Sequence, residues 1–302
     1  MPATPEQAVQ AANDAYGRHP GYRALHAKGL LLKGTFTASP EAASLSRAVH
    51  LLGEPVPATV RFSNGSGDPR SADYMPDVRG LAVKLYLPDG SRTDIVAQTS
   101  PRFPVRTPEA FLELLRATSP SPASAVRFPL FLIRHPGALT RLPPNMAALT
   151  PPASYATCRY YPIHAYRWID PSGEGRYVRY TLVPEAGARK LGMRQARKLG
   201  RDYLQAEIRG RIGREPVRFA VEVQIAAPGD EVDDPSAQWP ADRRRARIGT
   251  LEITGLETSR ERDGDVLVFD PARVTDGIEC SEDPVLRFRP RAYSESVARR
   301  TL

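Results

Sequence analysis

Three segments with a strand-like pattern follow one another closely, at residues 58–63, 79–86 and 94–99. The last two are separated by a Pro-Asp-Gly sequence at 88–90, which is typical of a hairpin turn. Strands that occur in such hairpin pairs are antiparallel. The chain is therefore expected to fold around an antiparallel sheet and not around a doubly wound parallel one.

The rest of the chain alternates further strands with helices. We predict strands at 30–37, 160–169, 176–183, 217–226 and 247–254. We predict helices at 5–16, 40–52, 108–146 (broken by prolines), 193–212 and 293–300, with an irregular tail at 269–290. This order predicts an α+β fold, an antiparallel β-barrel with interposed and flanking helices. No linker or repeat divides residues 1–302, so we predict a single domain in which 1–22 form an N-terminal helix and arm.

Charge and composition restrict the function only broadly. There are 42 basic and 34 acidic residues, a net charge of +8, but the densest basic run, 243–247, has no interleaved aromatic residue. Nucleic-acid binding is therefore not predicted. No apolar run approaches the roughly 20 residues of a membrane span, and the N-terminus lacks the pattern of a secretory signal. We expect a cytoplasmic protein.

Common catalytic and metal-binding motifs are missing from the sequence. The two cysteines, Cys158 and Cys280, form no C-x-x-C, and neither G-x-S-x-G nor a P-loop is present. The five histidines also lack the spacing of a metal site; they are His19, His26, His50, His135 and His164.

Two other segments stand out, 23–29 around His26 and 289–300 with Arg289 and Tyr293 one helical turn apart. Each alone is better explained by a structural histidine or a solvated basic helix.

Taken together, these segments resemble the haem-binding core of catalases. The matched blocks occur in the family's order from residue 23 to residue 300. They are RALHAKG at 23–29, TVRFS at 59–63, SAD at 71–73, DVRGLAVKLY at 77–86, DIV at 94–96, FDP at 269–271, GIE at 277–279 and the final helix. Several blocks in the same order make this a specific resemblance.

The resemblance implies a haem b group whose iron is held by Tyr293, with Arg289 supplying the positive charge that favours the phenolate. Cations suit the two haem propionates, and a guanidinium matches a carboxylate well. The matching arginines are Arg23, Arg61 and Arg300. Phe103 and Phe111 match aromatic residues of the family's pocket.

On the opposite side of the haem, the resemblance implies that His26 transfers the peroxide proton and that Ser63 orients its imidazole. The family's distal asparagine corresponds to Gln98 here, which moves the amide by about 1 Å. Leu25 replaces a smaller residue, and Pro104 stands where the family has a second pocket phenylalanine.

The implied function is that of a minimal catalase core. Only 25 residues precede His26, and the sequence ends just after the proposed ligand helix. We expect a haem-dependent peroxidase that reduces hydrogen peroxide or organic hydroperoxides with an organic electron donor, with weak or no catalase activity, and a possible homodimer. Two alternatives stay open: an enzyme that rearranges or cleaves fatty-acid hydroperoxides, and a non-enzymatic haem carrier.

Overall fold

The computed structural model describes residues 2–258 and 267–301, except for the side chains of residues 142 and 301. The strands in these regions are β1 (Gly29–Ala38), β2 (Val56–Asn64), β3 (Arg79–Tyr86), β4 (Arg92–Gln98), β5 (Tyr166–Ile169), β6 (Gly175–Pro184), β7 (Val217–Ile225), β8 (Arg245–Leu256) and β9 (Ile278–Cys280). They form one antiparallel sheet in the order β4-β3-β2-β1-β8-β7-β6-β5-β9.

Eight helices lie between and beside these strands in the same described regions. They are α1 (Pro5–Tyr16), α2 (Ala42–Leu45), α3 (Pro108–Thr118), α4 (Ser124–Arg134), α5 (Gly137–Ala148), α6 (Met193–Lys198), α7 (Tyr203–Ile212) and α8 (Pro284–Thr301). Short 3-10 turns occur at Val49–Leu51 and Tyr155–Thr157. The predicted α+β class is confirmed.

The sheet curls around one hydrophobic core. Buried side chains from β1 to β9 form a single cluster, in which Phe62 of β2 stacks on Tyr155 with 5.2 Å between ring centroids. The two ends of the curl approach each other through an extended dipeptide. Tyr160 pairs with Leu182 of β6, and Tyr161 pairs with Gln98 of β4.

The predicted hairpin is present between β3 and β4. Gly90 has a φ of 83°, a left-handed conformation that glycine adopts without strain, and Leu87 pairs with Ser91 across the turn. The register places Gly80 opposite both Ser63 of β2 and Gln98 of β4. These three residues therefore form one row on the same face of the sheet.

Two predicted helices are wrong in extent, because each is interrupted within its predicted range. The helix expected over 40–52 is reduced to α2 and a 3-10 turn, since Ser46 adopts an extended conformation and its hydroxyl donates to the carbonyl of Gly277 over 2.8 Å. The helix expected over 193–212 is divided into α6 and α7 at Gly200, whose φ is 99°.

The last third of the chain is also more regular than predicted. The irregular tail expected over 269–290 contains β9, and the final helix begins at Pro284 rather than at residue 293. The Asp283 carboxylate accepts the backbone N–H groups of Val285 and Leu286 and caps this helix. The strand expected over 160–169 is confined to Tyr166–Ile169.

Among the described residues, none of the helices combines the length and the apolar character that a membrane-spanning helix requires.

Candidate functional site

The conformation of His26 is unusual. Among the described residues other than glycine, His26 alone has a positive φ, at 56°. Three hydrogen bonds hold the backbone here. The N–H of His26 donates to the carbonyl of Gly65, and the carbonyl of His26 accepts a bond from Nη2 of Arg61 at 2.9 Å. The N–H of the next residue, Ala27, donates to the carbonyl of Ser66. A strained residue that the surrounding structure fixes so thoroughly is typical of a functional site.

The His26 imidazole lies against the outer face of the sheet. Its Nδ1 is 3.0 Å from the hydroxyl oxygen of Ser63. Gly80 lies beneath the pair, and a Cβ atom there would stand 2.5 Å from Ser63 Oγ and 2.8 Å from His26 Nδ1. Only glycine leaves room for the ring at this position. Pairing of Nδ1 with Ser63 leaves Nε2 as the nitrogen available to a substrate.

The surroundings of His26 keep its ring uncharged. Burial lowers the pKa of His26 to about 3, and the positive charges of Arg61, Arg289 and Arg23 act in the same direction. His26 is therefore a neutral base at physiological pH. The backbone N–H of Ala24 donates to the hydroxyl of Ser296 over 3.5 Å, so α8 lies beside the segment that carries His26.

A buried ion pair anchors the segment that carries His26. The Lys28 ammonium donates to the carboxylates of Asp73 over 2.7 Å and Asp202 over 2.6 Å. Asp73 also accepts the Asn64 amide and the backbone N–H of Leu204. The lysine of RALHAKG and the aspartate of SAD thus fix the position of His26 without reaching the site.

On the helix side, Arg289 and Tyr293 of α8 are in direct contact. Nε of Arg289 donates to the phenol oxygen of Tyr293 over 2.8 Å, as their spacing of one turn allows. A phenol oxygen next to a fixed guanidinium is well suited to bind a metal as the phenolate.

The sequence analysis missed His164 and Asp283, which extend this contact into the core. Nη1 of Arg289 lies 2.9 Å from Nε2 of His164, and Nδ1 of His164 lies 2.6 Å from the Asp283 carboxylate. Because a guanidinium only donates, Nε2 must accept, so Nδ1 carries the proton and donates to Asp283. Burial lowers the pKa of His164, in agreement with a neutral ring. The one sequence signal was Asp-Pro at 283–284, a typical helix start.

The other predicted residues fall into two groups. Arg23 and Arg300 line the same small cavity between α1 and α8, and Arg23 also donates to the carbonyl of Leu267 over 2.7 Å. Phe103 and Phe111 contact each other with ring centroids 4.9 Å apart and pack against the α3–α5 cluster.

Gln98 lies in the row that contains Ser63, one strand beyond Gly80, and its main chain pairs with Tyr161. No described group of three or more His, Cys, Asp or Glu side chains is arranged to hold a metal ion. The oxygen of Tyr293 and the imidazole of His26 are therefore the groups that point to a cofactor.

Comparison with known proteins agrees with this geometry. The family model described as catalase matches residues 17–301. The chain belongs to the catalase family, as the resemblance implied.

The most informative relatives are small proteins of this family. A catalase-related peroxidase of Mycolicibacterium paratuberculosis is 50% identical over 298 residues, which cover 99% of this chain and 95% of that protein. A catalase-related peroxidase of Synechococcus elongatus is 31% identical, over 99% of this chain and 89% of that protein. These relatives confirm the predicted class, a catalase-related oxidoreductase.

A fungal catalase crystal structure superimposes with a TM-score of 0.83 and 25% identity over 94% of this chain. The chain spans only 60% of the length of that catalase.

Proposed function

We propose that the chain is a haem-dependent peroxidase that reduces hydrogen peroxide or organic hydroperoxides with an organic electron donor, and that it releases oxygen only slowly. The contact between Arg289 and Tyr293 carries the proposal, because it pairs a ligand oxygen with a fixed cation on the helix that faces His26. The catalase-related peroxidases among its relatives support the same reaction class.

The residues present fit a haem. Tyr293 offers an anionic oxygen ligand, and the opposite side offers an uncharged base, His26. The outer face of the sheet also offers apolar surface, where Leu31, Ala82 and Val96 pack against Phe269. Arg23, Arg61 and Arg300 are the proposed partners of the propionates. When bound, a ferric haem supplies the iron that cleaves the O–O bond and accepts electrons from the donor.

The protein's own part in the reaction is proton transfer. His26 Nε2 first takes the proton from the O–OH group of the hydroperoxide. It then returns this proton to the oxygen that leaves as water or alcohol. One hydroperoxide, two electrons and two protons from the donor give an alcohol, or water from hydrogen peroxide, and one further water. Ser63 holds the imidazole in place for this transfer, and the low pKa of His26 keeps its ring able to accept the proton.

The test compares two products in the purified haem-loaded protein. Hydrogen peroxide and a fatty-acid hydroperoxide are each supplied with and without an aromatic donor. We expect donor oxidation and a one-to-one yield of fatty alcohol, with slow oxygen release at an electrode. Rearranged or cleaved products without donor consumption would instead support a hydroperoxide-rearranging enzyme, and a haem spectrum without turnover would support a carrier.

A further inference from the structure

The outer face of α4 carries an apolar stripe. Val126 is 72% exposed, Leu130 40% and Ile133 76%. At 3.6 residues per turn these three side chains project within about 60° of one another. The opposite face of α4 carries Phe131, which is 1% exposed and belongs to the cluster of α3–α5. The helix is therefore apolar on its inner face and along this outer stripe.

The exposed apolar surface continues onto α5. Leu139 is 53% exposed and Met146 59%. Isolated apolar side chains are common on protein surfaces, but a stripe of three along α4, followed by two more on the next helix, is more than scattered exposure and is of the kind that marks an interaction surface.

Basic residues predominate among the charged residues of this part of the chain. The sequence contains no Asp or Glu between Glu113 and Asp170, whereas it has arginine at 116, 127, 134, 141, 159 and 167. Arg127 is exposed, and Arg134 is 58% exposed although it pairs with Glu113. On the helical wheel both lie on the same side of the apolar stripe. An apolar stripe bordered by arginine is typical of helices that lie in a membrane interface.

We propose that the α4–α5 face docks onto the anionic surface of a lipid bilayer. Val126, Leu130 and Ile133 enter the boundary between headgroups and acyl chains, and Arg127 and Arg134 contact the lipid phosphates. A second copy of the chain would fit the α4–α5 face less well than an anionic lipid surface does. A two-fold contact through this face would place the exposed Arg127 side chains of both copies near one another, with no carboxylate from residues 114–169 to neutralise them.

Docking in this orientation has a consequence for the substrate. The α3–α5 cluster against which the inner face of α4 packs also contacts Phe103 and Phe111, the aromatic pair of the candidate site. The membrane would then lie on the side of the molecule next to this pair. The substrate class that follows is the hydroperoxides of lipid acyl chains. This substrate assignment rests on the proposed function, whereas the docking itself does not.

Sedimentation with vesicles tests the docking. The haem-loaded protein is mixed with vesicles of phosphatidylglycerol or of phosphatidylcholine. We expect binding to phosphatidylglycerol that is at least about tenfold stronger than to phosphatidylcholine and that weakens as salt is raised to about 0.5 M. The V126S/I133S double variant and Arg127→Glu should each bind about tenfold more weakly. Their matched controls are L52S/L199S, at two exposed leucines elsewhere, and Arg214→Glu in the exposed turn that follows α7.

The outcomes separate docking from catalysis. Absence of binding to phosphatidylglycerol, or equal losses in the controls, would overturn the docking. So would an analytical ultracentrifugation result in which the wild type is a dimer and V126S/I133S a monomer, or retention of the wild type by an acidic protein surface but not by vesicles. If vesicles bind but their lipid hydroperoxides are spared while hydrogen peroxide is reduced, the substrate class is wrong. If no hydroperoxide is reduced at all, the proposed function fails and the vesicle result still stands.

Discussion

Arg289 makes two contacts at once: its Nε donates to the Tyr293 phenol oxygen over 2.8 Å and its Nη1 to His164 Nε2 over 2.9 Å. His164 in turn donates to the buried carboxylate of Asp283, which caps the same helix. The buried pair of His164 and Asp283 therefore fixes the orientation of the Arg289 guanidinium. This geometry gives the predicted ligand oxygen a cation whose position does not depend on solvent.

The first prediction concerns this cation. Arg289→Leu removes the charge next to Tyr293, so the phenolate loses its partner and its hold on the haem iron weakens. We expect haem transfer to apomyoglobin to become at least about tenfold faster, and the haem spectrum to become pH-dependent. Arg291→Leu, at an exposed arginine on the same helix, is the matched control. Retention and spectra like those of the control would show that Tyr293 is not the ligand.

The second prediction concerns Asp283. Asp283→Ala removes the helix cap and also leaves the buried His164 N–H without an acceptor, at a combined cost of about 2–4 kcal/mol. Asp283→Asn keeps an oxygen for the cap, so it should cost less. Urea denaturation of the three proteins measures the difference. Equal free energies of unfolding for the Ala and Asn variants would mean that the cap contributes nothing.

The sequence predicts most of the site because its motifs are continuous. His26 and Ser63 lie on neighbouring segments in the expected contact, and a spacing of four residues was enough to place Arg289 beside Tyr293. In the same motifs, Lys84 and Asp94 instead form a buried ion pair with N–O distances of 2.6 and 2.8 Å. Matching motifs therefore identify the family, but they do not distinguish the residues of the candidate site from residues that only stabilise the fold around it.

What the sequence could not predict depends on contacts between distant residues. His164 and Asp283 are 119 positions apart, and nothing local in either segment indicates that they meet. The start of α8 was missed because Pro290 argues for a helix end, whereas Pro284 after a capping aspartate argues for a beginning. The break at Ser46 depends on the carbonyl of Gly277, which is 231 positions away in sequence.

The third prediction tests the space around His26. In Gly80→Ala the new methyl group meets Ser63 Oγ and His26 Nδ1 at less than van der Waals distance, so the imidazole must move. We expect kcat/KM for hydrogen peroxide to fall about 10²-fold or more, because proton transfer depends on this geometry. Gly255→Ala is the matched control, since no atom lies within 4 Å of a Cβ built there. Similar kinetics for the two variants would show that His26 does not transfer the proton.

The fourth prediction concerns His50, which is 3% exposed and whose Nδ1 bonds to no residue that the structure describes. Burial lowers its pKa from 6.5 to about 4. Between these values the unfolded chain binds a proton that the folded protein does not, so stability falls as the pH drops from 6.5 to 4.

His50→Leu removes this contribution, which amounts to about 3 kcal/mol at pH 4. We expect a shallower decline in the free energy of urea unfolding over this range, with the remaining slope due in part to His26 and His164. Identical slopes for variant and wild type would contradict the buried, neutral state of His50.

The last prediction concerns the balance between donor oxidation and oxygen release. Oxygen release requires a second peroxide to bind beside His26 in a fixed orientation, whereas an organic donor can deliver electrons at the haem edge. Gln98 lies in the row of Ser63, with an amide one methylene longer than the family's asparagine, and the half-buried Leu25 precedes His26. We expect both differences to affect the binding of the second peroxide, the step that leads to oxygen release. A displacement of about 1 Å is enough to weaken a positioned hydrogen bond.

The variant Gln98→Asn combined with Leu25→Val should therefore raise oxygen release about tenfold or more while it changes donor oxidation by less than about threefold. An oxygen electrode and donor absorbance, read on the same samples, give the two rates. His26→Gln is the control that should reduce both, because each route begins with proton transfer from the first peroxide. If the double variant keeps the wild-type ratio, the position of the Gln98 amide does not limit oxygen release.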